Sequence, residues 1–206
     1  DAVRSRGLGD VYKRQDAISM KVGLLADPVI IISGTMEAMN AEFMFHFGAM
    51  LAAAAPEHAL VYGAAPLELK KILQAVRLGF GPAAPQDSNL EYEVRQLAAT
   101  LWDLMSGRSQ RQLNQLCEKP KLISLRAVTE QSRLVLRRAG LLVCGDLKVA
   151  VADAARESRL APPSSMAELG ACAQASPLVA DLLKVALSQQ YAEVRYRLLP
   201  QRRSVT

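Results

Sequence analysis

Along most of this chain hydrophobic residues recur every three or four positions, the spacing that lines up one apolar stripe on an α-helix. Leu69, Ile72, Leu73 and Val76 fall at i, i+3, i+4 and i+7 behind Pro66, which suits a first helical turn. Leu90, Val94, Leu97, Leu101 and Leu104 carry the same period over residues 88–106. One run breaks it. Val29-Ile30-Ile31-Ile32 is four β-branched residues, entered through Asp27-Pro28 and left at Ser33-Gly34, and it predicts a strand that residues 20–25 can pair with.

Capping residues and breakers set the remaining boundaries. Asn40 is the expected N-cap of a helix that reaches Ala55 and stops at Pro56. Residues 79–85 read as a short loop, and Ser109 caps a short helix ending at Leu116. The longest helix is expected over 123–143, ended by Gly145 in a positive-φ conformation, with Asp146 capping the next helix over 147–155. Pro162-Pro163 is a hard break, and Ser165 with Glu168 forms a capping box for a helix ending near Ala173. A last helix is expected over 177–198, followed by a polar tail at 200–206. No repeat appears at a period of 33 to 47 residues, so this stretch is not itself a solenoid. The expected fold is therefore mainly α: a single helical domain over 16–199 with a short strand or hairpin near its N-terminus.

Composition narrows the function classes. With 206 residues, 50% of them hydrophobic, the chain can bury a core and is too apolar for disorder. Three cysteines are too few for a disulfide framework and suit a reducing, cytoplasmic setting. No apolar run approaches the ~18 residues of a membrane span. The formal charge of +5 is partly carried by the first fifteen residues, DAVRSRGLGDVYKRQ. Their ending, Val-Tyr-Lys-Arg-Gln, resembles translated sequencing-adaptor DNA of the kind met at the ends of metagenomic fragments. Residues 1–15 read as such an artefact or, alternatively, as a natural basic, disordered tail, and the rest is expected to be the C-terminal piece of a longer protein.

Few residues suggest chemistry. The two histidines, His46 and His58, stand twelve apart. A helical zinc site needs imidazoles at i and i+4, and the residue four after His46 is Met50. Glu42 can touch His46, but one histidine and one carboxylate do not hold zinc. His46 among Phe43, Phe45 and Phe47 reads as a satisfied, partly buried histidine, and His58 after Pro56-Glu57 as a solvated turn residue. Cys117, Cys144 and Cys172 form no Cys-x-x-Cys, and Cys144 reads as packed core. There is no Gly-x-Ser-x-Gly and no phosphate loop. Arg133, Arg137 and Arg138 form one basic cluster and Arg195, Arg197, Arg202 and Arg203 another. Arg133 and Arg137 lie at i, i+4 opposite no identifiable acid, which reads as a solvated face. Tyr191, Arg195 and Tyr196 look like the docking seam of a terminal helix.

The order Pro-Val-Ile-Ile-Ile-Ser, Gly-Thr-Met-Glu-Ala-Met, then Asn40-Ala-Glu42-Phe and a long helix of small residues resembles the HtpX-like family of zinc metallopeptidases. In that family an apolar strand leads to a helix bearing E-L-x-x-V-L-A-H-E-x-x-H. Laid on this chain from Glu42, the first zinc histidine falls on Ala49, the general-base glutamate on Met50 and the second histidine on Ala53. Residues 133–151, RLVLRRAGLLVCGDLKVAV, are similar to the family's E-x-x-A-D-R-A-G-L-x-x-x-G-D segment. The zinc-binding glutamate then falls on Arg133 and its downstream aspartate on Arg137. A catalytic zinc needs three ligands and a base; here alanine, methionine and arginine stand in those places, and an arginine repels the ion.

A nearer likeness is to the C-terminal region of large bacterial tetratricopeptide-repeat proteins of the deltaproteobacterial type. It rests on Glu42, Phe45, Gly48, Leu51 and Pro56-Glu57-His58, on Arg-Ala-Gly-Leu-Leu-x-Cys-Gly-Asp-Leu at 138–147, and on the last helix at 181–191. The resemblance implies a metallopeptidase-like pseudoenzyme: a non-enzymatic scaffold or protein-interaction domain with no catalytic residues, no metal and no cofactor. Ala49, Met50, Ala53, Arg133 and Arg137 mark the degenerate site. Arg195, Arg197 and Tyr191 are candidate interaction residues, and Gly140, Gly145 and Asp146 are structural. The expected partners are an unspecified protein and the chain's own N-terminal repeats, with neither nucleic acid nor a membrane span. The alternative is a divergent metal-dependent peptidase or hydrolase using His46, His58, Glu42 and Glu57. A third reading binds nucleic acid or anionic lipid through residues 195–203.

Overall fold

The computed structural model describes residues 18–25, 27–34, 39–82, 92–118 and 125–198. Among them are ten helices and one antiparallel hairpin, so the fold is mainly α. Contacts divide the chain into two compact units, one of residues 1–59 with 131–206 and one of Leu60–Glu130.

The first unit begins with the hairpin, β1 (Ser19–Gly23) and β2 (Val29–Ser33). Ser19 lies opposite Ser33, Lys21 opposite Ile31 and Gly23 opposite Val29. Val22 is buried, and β1 packs on α1 (Ala41–Ala53). The stretch Gly-Thr-Met-Glu-Ala-Met falls mostly on residues 35–38, outside the described residues. Asn40 caps α1 as expected, its Oδ1 accepting from Phe43 N at 2.8 Å. Pro56 does more than stop that helix: it opens α2 (Pro56–Gly63), with the Ala55 carbonyl accepting from His58 N and Ala59 N. A proline lacks only the N–H that a first turn leaves without an intrahelical partner, so one residue both breaks and starts.

The long helix α6 (Leu125–Cys144) contributes its residues from Gln131 onward to this unit. Gly145 follows at φ 67°, and Asp146 caps α7 (Leu147–Glu157) by accepting from Val149 N at 3.1 Å. Ser165 caps α8 (Met166–Ala175), but the Glu168 carboxylate reaches back to Ser164 N and Oγ, one residue earlier than a standard box. Those bonds hold its carboxyl below the usual range. Their help to α8 is therefore present above the ordinary glutamate pKa and fades as pH falls through the lowered one. The helix expected over 177–198 is two: α9 (Pro177–Ala186) and α10 (Gln189–Leu198). Ser188 causes the break. Its Oγ donates to Val185 O at 2.7 Å and accepts from Tyr191 N at 3.2 Å, closing one helix and capping the next.

Phe45 of α1, Leu141 of α6, Ala150, Val151, Ala154 and Ala155 of α7, and Val179 and Leu182 of α9 form the core of this unit. Two glycines set how closely α1 and α6 approach. A Cβ on Gly140 would stand 2.7 Å from Phe45 O, and one on Gly48 would stand 2.8 Å from Ala139 O.

The second unit holds α3 (Pro66–Phe80), α4 (Tyr92–Leu104) and α5 (Gly107–Cys117). Ala75, Val94 and Ala98 make its small core, with Leu97 and Leu101 packed against it. The rings of Phe80 and Trp102 stack 5.3 Å apart, and Lys71 pairs with Glu93 between α3 and α4. The cap of α5 is Ser106 and not Ser109: Ser106 Oγ accepts from Ser109 N at 3.2 Å. Both serines suit a cap, and Gln110 in the first turn also donates to Trp102 O at 2.7 Å.

Two substitutions test this description by thermal and urea unfolding. Gly140→Ala drives a methyl into the α1 backbone and is expected to cost about 2–3 kcal/mol, the scale of an overpacked core. Arg159 closes α7 in a left-handed conformation, φ 60°, with Leu160 N donating to Ala155 O at 2.8 Å. Glycine adopts that conformation without penalty, so Arg159→Gly is expected to stabilise by about 0.5–1 kcal/mol.

Candidate functional site

The α1 face that the metallopeptidase likeness singles out is core. Ala49 and Ala53 are buried and Met50 is half-buried. This follows from size: the small residues on α1 let α6 and α7 close on it.

Arg137 is not on a solvated face, whereas Arg133 is half exposed, and both have acids opposite them. One turn apart on α6, they meet Asp153 and Glu157, one turn apart on α7. Arg137 spans both acids, bonding Asp153 Oδ2 through one terminal nitrogen and Glu157 Oε2 through the other. Arg133 Nε stands 3.5 Å from Glu157 Oε1. On the far side of Asp153, His46 Nε2 lies 3.5 Å from Oδ1, so α1 joins the same cluster. The Arg137 guanidinium also sits 5.6 Å from the centre of the Phe45 ring. With the side chains of Arg137 and Asp153 only 19% and 11% exposed, this pair is poorly screened by water. Nearby, Arg156 of α7 donates to Glu42 of α1 at 2.9 Å, and Arg138 Nε donates to Asp181 Oδ2 at 2.8 Å.

A resident zinc does not fit this arrangement. Two guanidinium groups already occupy the carboxylates, and the histidine positions are buried methyl groups. Among the described residues no group of three or more His, Cys, Asp or Glu is placed to hold a metal ion. The four residues named for an alternative site do not converge. Glu42 pairs with Arg156, His46 with Asp153, and His58 Nδ1 lies 3.2 Å from Ser132 Oγ, while Glu57 is exposed. The His58 contact corrects the expectation of a solvated turn residue: His58 is half-buried on α2 against a buried serine.

Cys117, Cys144 and Cys172 are thiols, each half-buried. Cys144 packs at the edge of the core, where burial pushes its thiol above the ordinary range. Tyr191 is half-buried beside the same core and Arg197 is exposed, whereas Arg195 is engaged by carbonyls of α6. Gly140 lies against Phe45, Gly145 has φ 67°, and Asp146 caps α7.

Asp153, Glu157 and Asp181 had no place among the sequence candidates. The usable sign of the first two was arithmetic: a basic pair four apart on one helix and an acidic pair four apart on the next, across a tight Gly-Asp turn.

Removing one partner of the central pair should cost more than removing both. Arg137→Met is expected to lose about 2–3 kcal/mol, because it leaves Asp153 largely buried without its guanidinium. Arg137→Met with Asp153→Leu should recover part of that loss. A double-mutant cycle read by urea unfolding is expected to give a coupling above about 1 kcal/mol.

With this geometry in hand, the comparisons with known proteins returned no matching family model, no matching curated protein and no matching solved structure.

Proposed function

We infer that this chain is a non-enzymatic scaffold or protein-interaction domain, the C-terminal part of a longer repeat-containing bacterial protein, in which a metallopeptidase-like site has become a helix clamp. The observation that carries this reading is the bridging of Asp153 and Glu157 by Arg137. The likeness puts a metal-centre aspartate at position 137, and a fixed cation there ties α6 to α7. The buried Ala49 and Ala53 support it as well, since that helix face is spent on packing. Its proposed partners are a second protein and the N-terminal repeats of its own full-length chain. No helix among the described residues is long and apolar enough to cross a membrane.

Elemental analysis tests the reading on protein purified without a histidine tag. Well under one zinc per chain is expected, with no rise in Tm on adding zinc. A genuine site at a hundred times its Kd would add about 2.7 kcal/mol. Stoichiometric zinc with such a rise would instead support the metal-dependent peptidase or hydrolase.

A further inference from the structure

The first unit is built from two stretches of chain, 1–59 and 131–206, and the whole of the second lies between them in the sequence. The points at which the chain leaves the first unit and returns to it are neighbours. His58 is next to the last residue before the exit, and Ser132 next to the first after the return. His58 Nδ1 lies 3.2 Å from Ser132 Oγ, so α2 and α6 meet there, with their backbones within about 8–10 Å, the packing distance of two helices. Burial stops at the same places. Ala59 is the buried residue of α2, and Ser132 is the first buried residue of α6 among those described. From 126 to 131 only Thr129 is even half-buried.

Each unit has a core of its own, and the two cores differ in what fills them. The first buries Phe45, Leu141, Val179 and Leu182 completely. The second gathers Ala75, Val94 and Ala98, two of them alanines, and its helix α5 adds no buried residue. A segment with so little buried apolar surface opens at a lower free energy than a full core. Its opening costs the rest of the chain little. What remains is a loop between two adjacent points, and the entropy of closing a loop grows only slowly with its length. We propose that residues 60–130 are an inserted module, which opens and recloses on its own while the α1–α7–α9 core stays folded and His58 with Ser132 clasps the two ends of the gap.

The chain carries its own reporter for this opening. Its single tryptophan, Trp102, stacks on Phe80 inside the module, whereas α1 and α7 to α10 all belong to the first unit. Urea unfolding of the whole chain, followed by Trp102 fluorescence and by far-ultraviolet circular dichroism, is expected to give two separate curves. The fluorescence change should finish at the lower urea concentration, with the larger part of the helical signal still present. Coincident curves, or a Trp102 change that comes last, would overturn the proposal. Ala98→Asp sets a carboxylate in the small core of the module. It is expected to move the Trp102 step to lower urea and to speed exchange of the α3 and α4 amides about a hundredfold, with exchange in α1, α7 and α9 altered less than about twofold. Acceleration of both sets alike would also overturn the proposal. His58→Ala should lower the later, helical step and leave the Trp102 step in place; an equal shift of both would remove the clasp. Should Ala98→Asp fail to fold, the two curves of the unaltered protein still decide, because the module either opens first or does not.

Discussion

Everything in the larger unit depends on α1 and α6 touching backbone to backbone. Gly140 lies under the Phe45 carbonyl and ring, and Gly48 lies against Val143 and the Ala139 carbonyl. That approach leaves no room for a side chain at either glycine, and Phe45 lies wholly in the core beside Leu141. It also sets the distance at which polar groups on flanking turns meet. His46, one residue from Phe45, comes within reach of Asp153, and Glu42 within reach of Arg156. The contacts that α1 makes to the charged residues of α7 thus depend on the glycine crossing, while the arginine–carboxylate pairs themselves join α6 to α7.

The cluster in turn explains how charge is tolerated beside an aliphatic core. A nearly buried aspartate is costly alone, and bringing an arginine to it repays the desolvation only when several bonds form at once. Arg137 meets that condition by serving two carboxylates with its fork while its guanidinium carbon sits over the Phe45 ring. Lysine, a point charge, could not span both acids in that way.

Most of the architecture was legible because it is local. Asn40, Asp146 and Ser165 announce helix starts by side-chain chemistry that acts within three residues, and Gly145 announces a stop by its conformational freedom. The misreadings share a cause: one residue can act in two directions. Pro56 both ends and begins, and Ser188 both closes and caps, so a continuous apolar period over 177–198 hid a break. Ser106 and Ser109 are both able to cap, and their own segment does not choose between them. The candidate site was less legible. The likeness pointed to Arg133 and Arg137, but nothing in their own segment reveals that Asp153 and Glu157 lie opposite. The acids that these arginines meet come into view only in the fold.

The matched spacing of those charges also fixes alignment. Arg133 and Arg137 rise by one turn along α6, while the acids they meet descend by one turn along α7: 137 with 153 and 157, then 133 with 157. Sliding either helix by a turn would leave one charge of each sign without its neighbour. Sliding by less would set the forked guanidinium against methylene groups. The two helices therefore behave like a rack and pinion with a single meshed position, and the unit can respond to a pull on α7 by moving α6 with it, but not by shear between them.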